Sequence, residues 1–116
     1  MSVAVKNLAF GTLASTTLEG TGGPDEGKSW IVKSIMVTNQ DTSSRAVDIK
    51  FLSGSTPAYL APPGLTLGAK STFIVDNEIT LQYPTSGTQE KVSIAVGTTP
   101  STGVDYVLNG VERDIA

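Results

Sequence analysis

The chain has 116 residues, eight Lys plus Arg against eleven Asp plus Glu, a net charge of −3, and neither cysteine nor histidine. That length makes one domain, 1–116, able to bury its own core, and the missing residue types exclude disulfides, thiolate metal sites and nucleophilic triads of the Ser-His-Asp or Cys-His kind. The charges are scattered without runs, so there is no basic footprint for nucleic acid.

At the amino end, Lys6 precedes a mildly apolar stretch, Asn7–Ala14, which Gly11 and Thr12 interrupt too early for the apolar region of a signal peptide. No stretch approaches the roughly 18 apolar residues that span a membrane. The expectation is a protein made and left in a cytoplasm. Val3–Ala9 alternates apolar and polar positions, and Thr12–Leu18 is rich in Thr and Ser around Leu13 and Leu18; both predict strands near a sheet edge. Glu19–Lys28 holds four glycines, a proline and three acids, the composition of a flexible loop.

Within that loop, Gly22-Gly-Pro-Asp-Glu-Gly27-Lys28-Ser29 matches the spacing of a phosphate-binding P-loop. A P-loop must open into a helix whose first N–H groups face the phosphates. Here Trp30-Ile31-Val32 follow, continuing to Ile35-Met36-Val37 with β composition, so a surface loop is expected instead. The stretch Ser29–Asn39 carries β-branched and aromatic residues on both faces and predicts a central strand covered on both sides.

After the polar turn 40–44, Arg45–Ser53 alternates cleanly, with Val47, Ile49 and Phe51 on one face and Asp48 and Lys50 on the other. An antiparallel hairpin of 29–39 with 45–53 is the simplest pairing. Gly54–Gly68 contains Pro57, Pro62 and Pro63, each unable to donate to a ladder, and predicts a second flexible loop or a ragged edge. Lys70–Asp76, a tight turn at Asp76-Asn77 and Glu78–Tyr83 follow, with Phe73, Val75, Ile79, Leu81 and Tyr83 inward. Glu90–Gly97 and Val104–Leu108 alternate in the same manner. Asn109–Ala116 looks like a polar tail with Val111 and Ile115 as its apolar points, suited to pairing with a neighbouring chain or to completing the domain's own sheet.

Seven to nine short strands without a helical period predict an all-β, antiparallel β-sandwich or jelly-roll-like fold. Trp30, Phe51, Phe73 and Tyr106 are the expected large core residues, each worth roughly 1.5–3 kcal/mol when buried. Asp76 with Glu78 is the nearest approach to a carboxylate pair, at a spacing that serves a turn equally well. No Asp-rich loop offers the six to eight oxygens of a calcium site. The sequence therefore points to no catalytic residue, cofactor or metal.

Val37-Thr38-Asn39, the polar turn, Val47-Asp48-Ile49-Lys50-Phe51, the Pro/Gly connection, Phe73-Ile74-Val75, Ile79-Thr80-Leu81 and Val92-Ser93-Ile94-Ala95-Val96 together resemble small β-sandwich virion proteins of tailed bacteriophages. These are capsid decoration or cement proteins and head-tail accessory proteins, and the resemblance spans about residues 28–97. It implies a non-enzymatic structural protein on the capsid surface, with the major capsid protein or other virion proteins as partners and a dimer or trimer of its own chain. Tyr59, Leu60, Val111 and Ile115 are the candidate partner-binding residues, with no role for nucleic acid or membrane. The alternative is a carbohydrate- or receptor-binding module, in which exposed Tyr59, Tyr83 or Trp30 would stack on a sugar.

Overall fold

The computed structural model describes residues 3–13, 19–97 and 103–115. Among them are ten strands: β1 (Val3–Leu13), β2 (Glu19–Gly22), β3 (Lys28–Asn39), β4 (Arg45–Ser53), β5 (Thr56–Tyr59), β6 (Leu65–Leu67), β7 (Thr72–Val75), β8 (Ile79–Tyr83), β9 (Glu90–Val96) and β10 (Val104–Asp114). They form two five-stranded antiparallel sheets: β1-β10-β3 with β7 and β8 along the far side of β3, and β2-β9-β4 with β5 and β6 along the far side of β4. The fold is the expected all-β sandwich. The additional strands come from segments expected as loops, since 19–28 contains β2 and 54–68 contains β5 and β6. Of the strand expected over Thr12–Leu18, Thr12 and Leu13 end β1, and 14–18 lie outside the described residues.

Inward-facing aliphatic side chains from both sheets fill the space between them. Val32, Ile35, Val37 and Leu81 from the first sheet, and Val47, Ile49, Val92 and Ile94 from the second, are all essentially inaccessible. Trp30 belongs to this core, whereas Phe51, Phe73 and Tyr106 are partly buried at its margin. The interior is thus packed by branched aliphatics that interdigitate across a thin sandwich.

β3 owes its apparent two-sided apolarity to a change of phase. Trp30 and Val32 face the core, then Ile35, Val37 and Asn39 do, so the inward parity switches between Val32 and Ile35. A β-bulge makes that switch: Asn109 of β10 pairs with Ser34 and Gly110 with Val32, leaving Lys33 as the extra residue. The expected coverage on both sides is therefore replaced by one buried face that changes parity. On its other side β3 meets β8 before the bulge and β7 after it, and both run antiparallel to it. The tight turn expected at Asp76-Asn77 does not reverse the chain; it is a short interruption facing the bulge, and Lys33 Nζ reaches Glu78 Oε2 across it at 2.5 Å.

The expected hairpin of β3 with β4 does not form, because the two strands belong to different sheets. Residues 40–44 carry the chain across the sandwich, and a buried polar cluster absorbs the backbone groups that this crossing withdraws from water. Fully buried Asn39 donates through Nδ2 to the carbonyls of Ser43 (2.9 Å), Leu67 (3.1 Å) and Gly68 (3.2 Å), and its Oδ1 accepts from Asp41 N at 3.0 Å. Asp41, also buried, accepts from Arg45 Nε at 2.8 Å and from Gly103 N at 3.1 Å. Buried polar groups persist when bonded in this way.

The segment expected as a polar tail is, through Asp114, the C-terminal half of β10, which lies between β1 and β3 and is bonded on both sides. Its acidic residues are accommodated by partners across the ladder: Trp30 Nε1 donates to Glu112 Oε2 at 2.9 Å, and the Lys28 ammonium donates to Asp114.

Two substitutions test these constraints. A Cβ at Gly110 would collide with the Ile31 carbonyl oxygen opposite the bulge, so Gly110→Ala is expected to destabilise by about 2–3 kcal/mol, measured as a shift in urea midpoint. Asn39→Ala strands the carbonyls of Ser43, Leu67 and Gly68 and is expected to cost about 2–4 kcal/mol by the same measurement.

Candidate protein-interaction surface

The candidate partner-binding residues divide between the two sheets. Tyr59 ends β5 at the border of the second sheet, is 48% exposed, and has Lys50 Nζ 5.8 Å from its ring centroid. Leu60 follows it, but its amide donates to Ile49 O at 2.7 Å and its side chain packs against the core. Beyond it, Pro62, Pro63 and Gly64 form an exposed excursion between β5 and β6, anchored where Gly64 N donates to Asp48 Oδ1 at 2.7 Å. Val111 lies in β10 of the first sheet, paired with Val5 on one side and Ile31 on the other. Ile115 follows β10, with its amide donating to Gly27 O at 2.9 Å. Tyr59 and Leu60 are neighbours in sequence, Val111 and Ile115 are separated by roughly 13 Å of extended chain, and the structure does not join the four into one site.

The aromatic residues considered for sugar stacking fare differently. Trp30 is only 6% exposed and donates through Nε1 to Glu112 Oε2 at 2.9 Å, so its ring faces belong to the core. Tyr83 is half-buried at the end of β8. Tyr59 alone of the three presents an exposed ring.

The stretch resembling a P-loop opens into strand β3, as its composition indicates. Gly27 has a φ of 85°, the left-handed turn conformation that favours glycine, and donates its N–H to Tyr83 O at 2.7 Å, while Lys28 N donates to Asp25 O at 3.0 Å. The Gly27 and Lys28 N–H groups are thus already used, Ser29 is buried, and the Lys28 ammonium is bonded to Asp114. Among the described residues no group of three or more acidic side chains is placed to hold a metal ion.

The residues that sequence reasoning missed lie on the outer face of the first sheet. Strand register aligns Phe10 with Val107, Val107 with Met36, and Met36 with Ile74, one row across β1, β10, β3 and β7. Phe10 is 72% exposed, Ile74 53% and Met36 37%. On one side of this row lie Thr12, Asp105, Thr38 and Thr72, bonded among themselves: Thr12 Oγ1 donates to Asp105 at 2.6 Å and the Thr38 and Thr72 hydroxyls lie 2.9 Å apart. On the other side are Asn7, Asn109 and Ser34. Each member of the apolar row sits in a different strand, so the only sequence signal was the parity change in β3 that turns Met36 outward.

The Lys28–Asp114 pair, where the start of β3 meets the end of β10, gives the protein a pH signature. The pKa of Lys28 is raised above the ordinary 10.5, chiefly by the hydrogen bond to Asp114 and then by the charge of that same carboxylate. A cation whose pKa rises on folding adds stability that is complete below its unfolded pKa and is lost as pH climbs through the folded one. The stability difference between the wild type and Lys28→Met is therefore expected to be constant through neutral pH and to shrink above about pH 10.5 in chemical-denaturation series. A difference that stays constant through the alkaline range would show that the pair is not linked to folding.

No protein-family model matches the chain, and no curated protein matches it in sequence. Among solved structures, the Drosophila NLP core, described for pentamer formation and histone binding, is similar in fold at 15% identity and a TM-score of 0.52, covering 91% of this chain and 98% of that one. A chain of the T13 particle of infectious bursal disease virus is similar at 11% identity and a TM-score of 0.52; 96% of this chain is covered and it spans 30% of the viral chain. The C-terminal family 22 carbohydrate-binding module of Clostridium thermocellum Xyn10B gives 15% identity and a TM-score of 0.43, with 97% of this chain and 80% of that one covered. At these identities the two likenesses with a TM-score of 0.52 bear on the β-sandwich fold alone.

Proposed function

We propose that this protein is a non-enzymatic structural component of a virus particle, a decoration or cement module that binds the assembled head of a tailed phage through contacts with its capsid protein. It is made in the host cytoplasm and works as a small homo-oligomer on the capsid surface. The observation that carries this reading is where the described exposed apolar surface lies: on the outer face of the first sheet and at the border of the second, surfaces that suit shape-matched contact with other proteins. The buried polar side chains of the 39–45 crossing, by contrast, are engaged in holding the chain. The fold shared with a chain of an icosahedral virus particle is in keeping with it.

Within this reading Tyr59 is the anchor toward the shell, an exposed aromatic stiffened by Lys50 beside its ring. The same exposed ring is what favours the second reading, a carbohydrate- or receptor-binding module. The withdrawal of Trp30 into the core leaves that module with one fewer stacking platform.

Sedimentation with assembled heads and with free capsid subunits tests the proposal. The protein is expected to pellet with heads in preference to subunits, and Tyr59→Ala is expected to weaken head binding by about tenfold. A wild-type protein that stays in the supernatant with heads at about 100 μM, yet is retained on a glycan surface in a Tyr59-dependent way, would replace the virion reading with the carbohydrate one.

A further inference from the structure

Four large apolar or aromatic side chains are exposed among the described residues, and three of them, Phe10, Met36 and Ile74, stand in the single row that crosses the first sheet. We propose that this outer face is the surface on which two copies of the chain pack against each other, sheet to sheet, with the row Phe10–Val107–Met36–Ile74 at the centre of the contact. The proposal deepens the homo-oligomer part of the reading above and rests on it; it does not depend on binding to a shell.

Charge and shape select a second copy as the occupant. Each chain carries a net charge of −3, so two copies approach favourably only through surfaces that are locally neutral. Around the row, Asp105 is engaged by Thr12 and by Gln40, Lys33 and Glu78 neutralise each other at 2.5 Å, and Asn7, Asn109 and Ser34 carry no charge. Asp105 is the one charged side chain in the two rows that flank the apolar one, so a highly charged partner would find little here to select it. A straight row is also self-complementary: a two-fold axis lying along it sets Met36 over Met36, and one lying across its middle sets Phe10 over Ile74. Either way apolar residues meet apolar residues while the polar rows face polar rows.

The dimensions agree with such a contact. Four strands at about 4.8 Å spacing, with β10 contributing 11 residues at about 3.3 Å rise, give a face of roughly 19 Å by roughly 36 Å. That is on the order of 700 Å², near the about 800 Å² per partner of a standard interface.

Sedimentation equilibrium of the full chain tests the inference, with Ile74→Lys and Met36→Lys as interface variants and Thr66→Lys, exposed on β6 of the other sheet, as control. The wild type is expected to dimerise, and each interface lysine, by setting like charge against like in the packed face, to raise the dissociation constant by about tenfold or more. Thr66→Lys is expected to leave it unchanged. Thermal unfolding checks that the variants fold. A wild type that is monomeric at about 100 μM, or a dimer that folded Ile74→Lys and Met36→Lys leave intact, overturns the inference. Pelleting with heads is scored separately: a monomer that pellets overturns this inference and leaves the virion reading, whereas a dimer sensitive to the two lysines that does not pellet supports this inference and removes that reading.

Discussion

When the chain leaves β3 for the second sheet, it gives up ladder partners beside two fully buried polar residues, Asn39 and Asp41. Asn39 resolves this with one side chain. Its amide group meets carbonyls from the 40–44 turn, from the end of β6 and from the segment that enters β7, and its oxygen takes the Asp41 amide. The turn that follows β3 and the distant 67–68 segment are thereby fixed to one point. Asp41 extends the hold to Arg45 at the start of β4 and to Gly103 just before β10. A β-sandwich is usually held by apolar packing between its sheets, and this one has that too, but apolar packing tolerates sliding. The amide cluster has direction, and it sets where one sheet sits along the other.

The bulge at Lys33 governs the first sheet in a similar way. By changing the parity of β3 it turns Trp30 and Val32 inward on one side and Ile35 and Val37 inward on the other. Its neighbours conform to it: β10 places Gly110, which has no Cβ to clash, against the distorted backbone, and the strand on the other side is broken into β8 and β7. The second sheet has its own divided border, where β5 and β6 share β4 and the prolines of 57–63 occupy the ragged part. In both sheets the divided strand lies at an edge, where a lost ladder bond costs least.

What could be read from the sequence was what local alternation encodes. β4, β9 and the first half of β10 have the inward residues their spacing indicates, Val47 and Ile49, Val92, Ile94 and Val96, and Val104 and Leu108. Pairing was another matter. A short polar turn between two apolar strands looks like a hairpin, and nothing within residues 29–53 reveals that the buried amide of Asn39 will be answered by Leu67 and Gly68. Asn109–Asp114 looked like a tail because its composition is polar, yet its backbone completes ladders on both sides. Of the candidate surface residues, Tyr59 is exposed, while Leu60 gives its side chain to the core. The row from Phe10 to Ile74 was illegible for a plain reason: it exists only across four strands, and its members are neighbours in no linear window.

The position of β10 has a consequence for how the molecule comes into being. The strand that follows all the others in this chain lies inside the first sheet, with β1 on one side and β3 on the other. Until it is in place those two strands have no link within the sheet, and the ladder edges of β3 and β1 that it will occupy stay open. Such long-range pairing carries a large loop-closure entropy and makes for slow folding. On the ribosome, the first sheet has to wait for synthesis to reach Asp114, and a chain interrupted before that point presents two unpaired edges to its surroundings, a hazard for aggregation that the finished protein has buried.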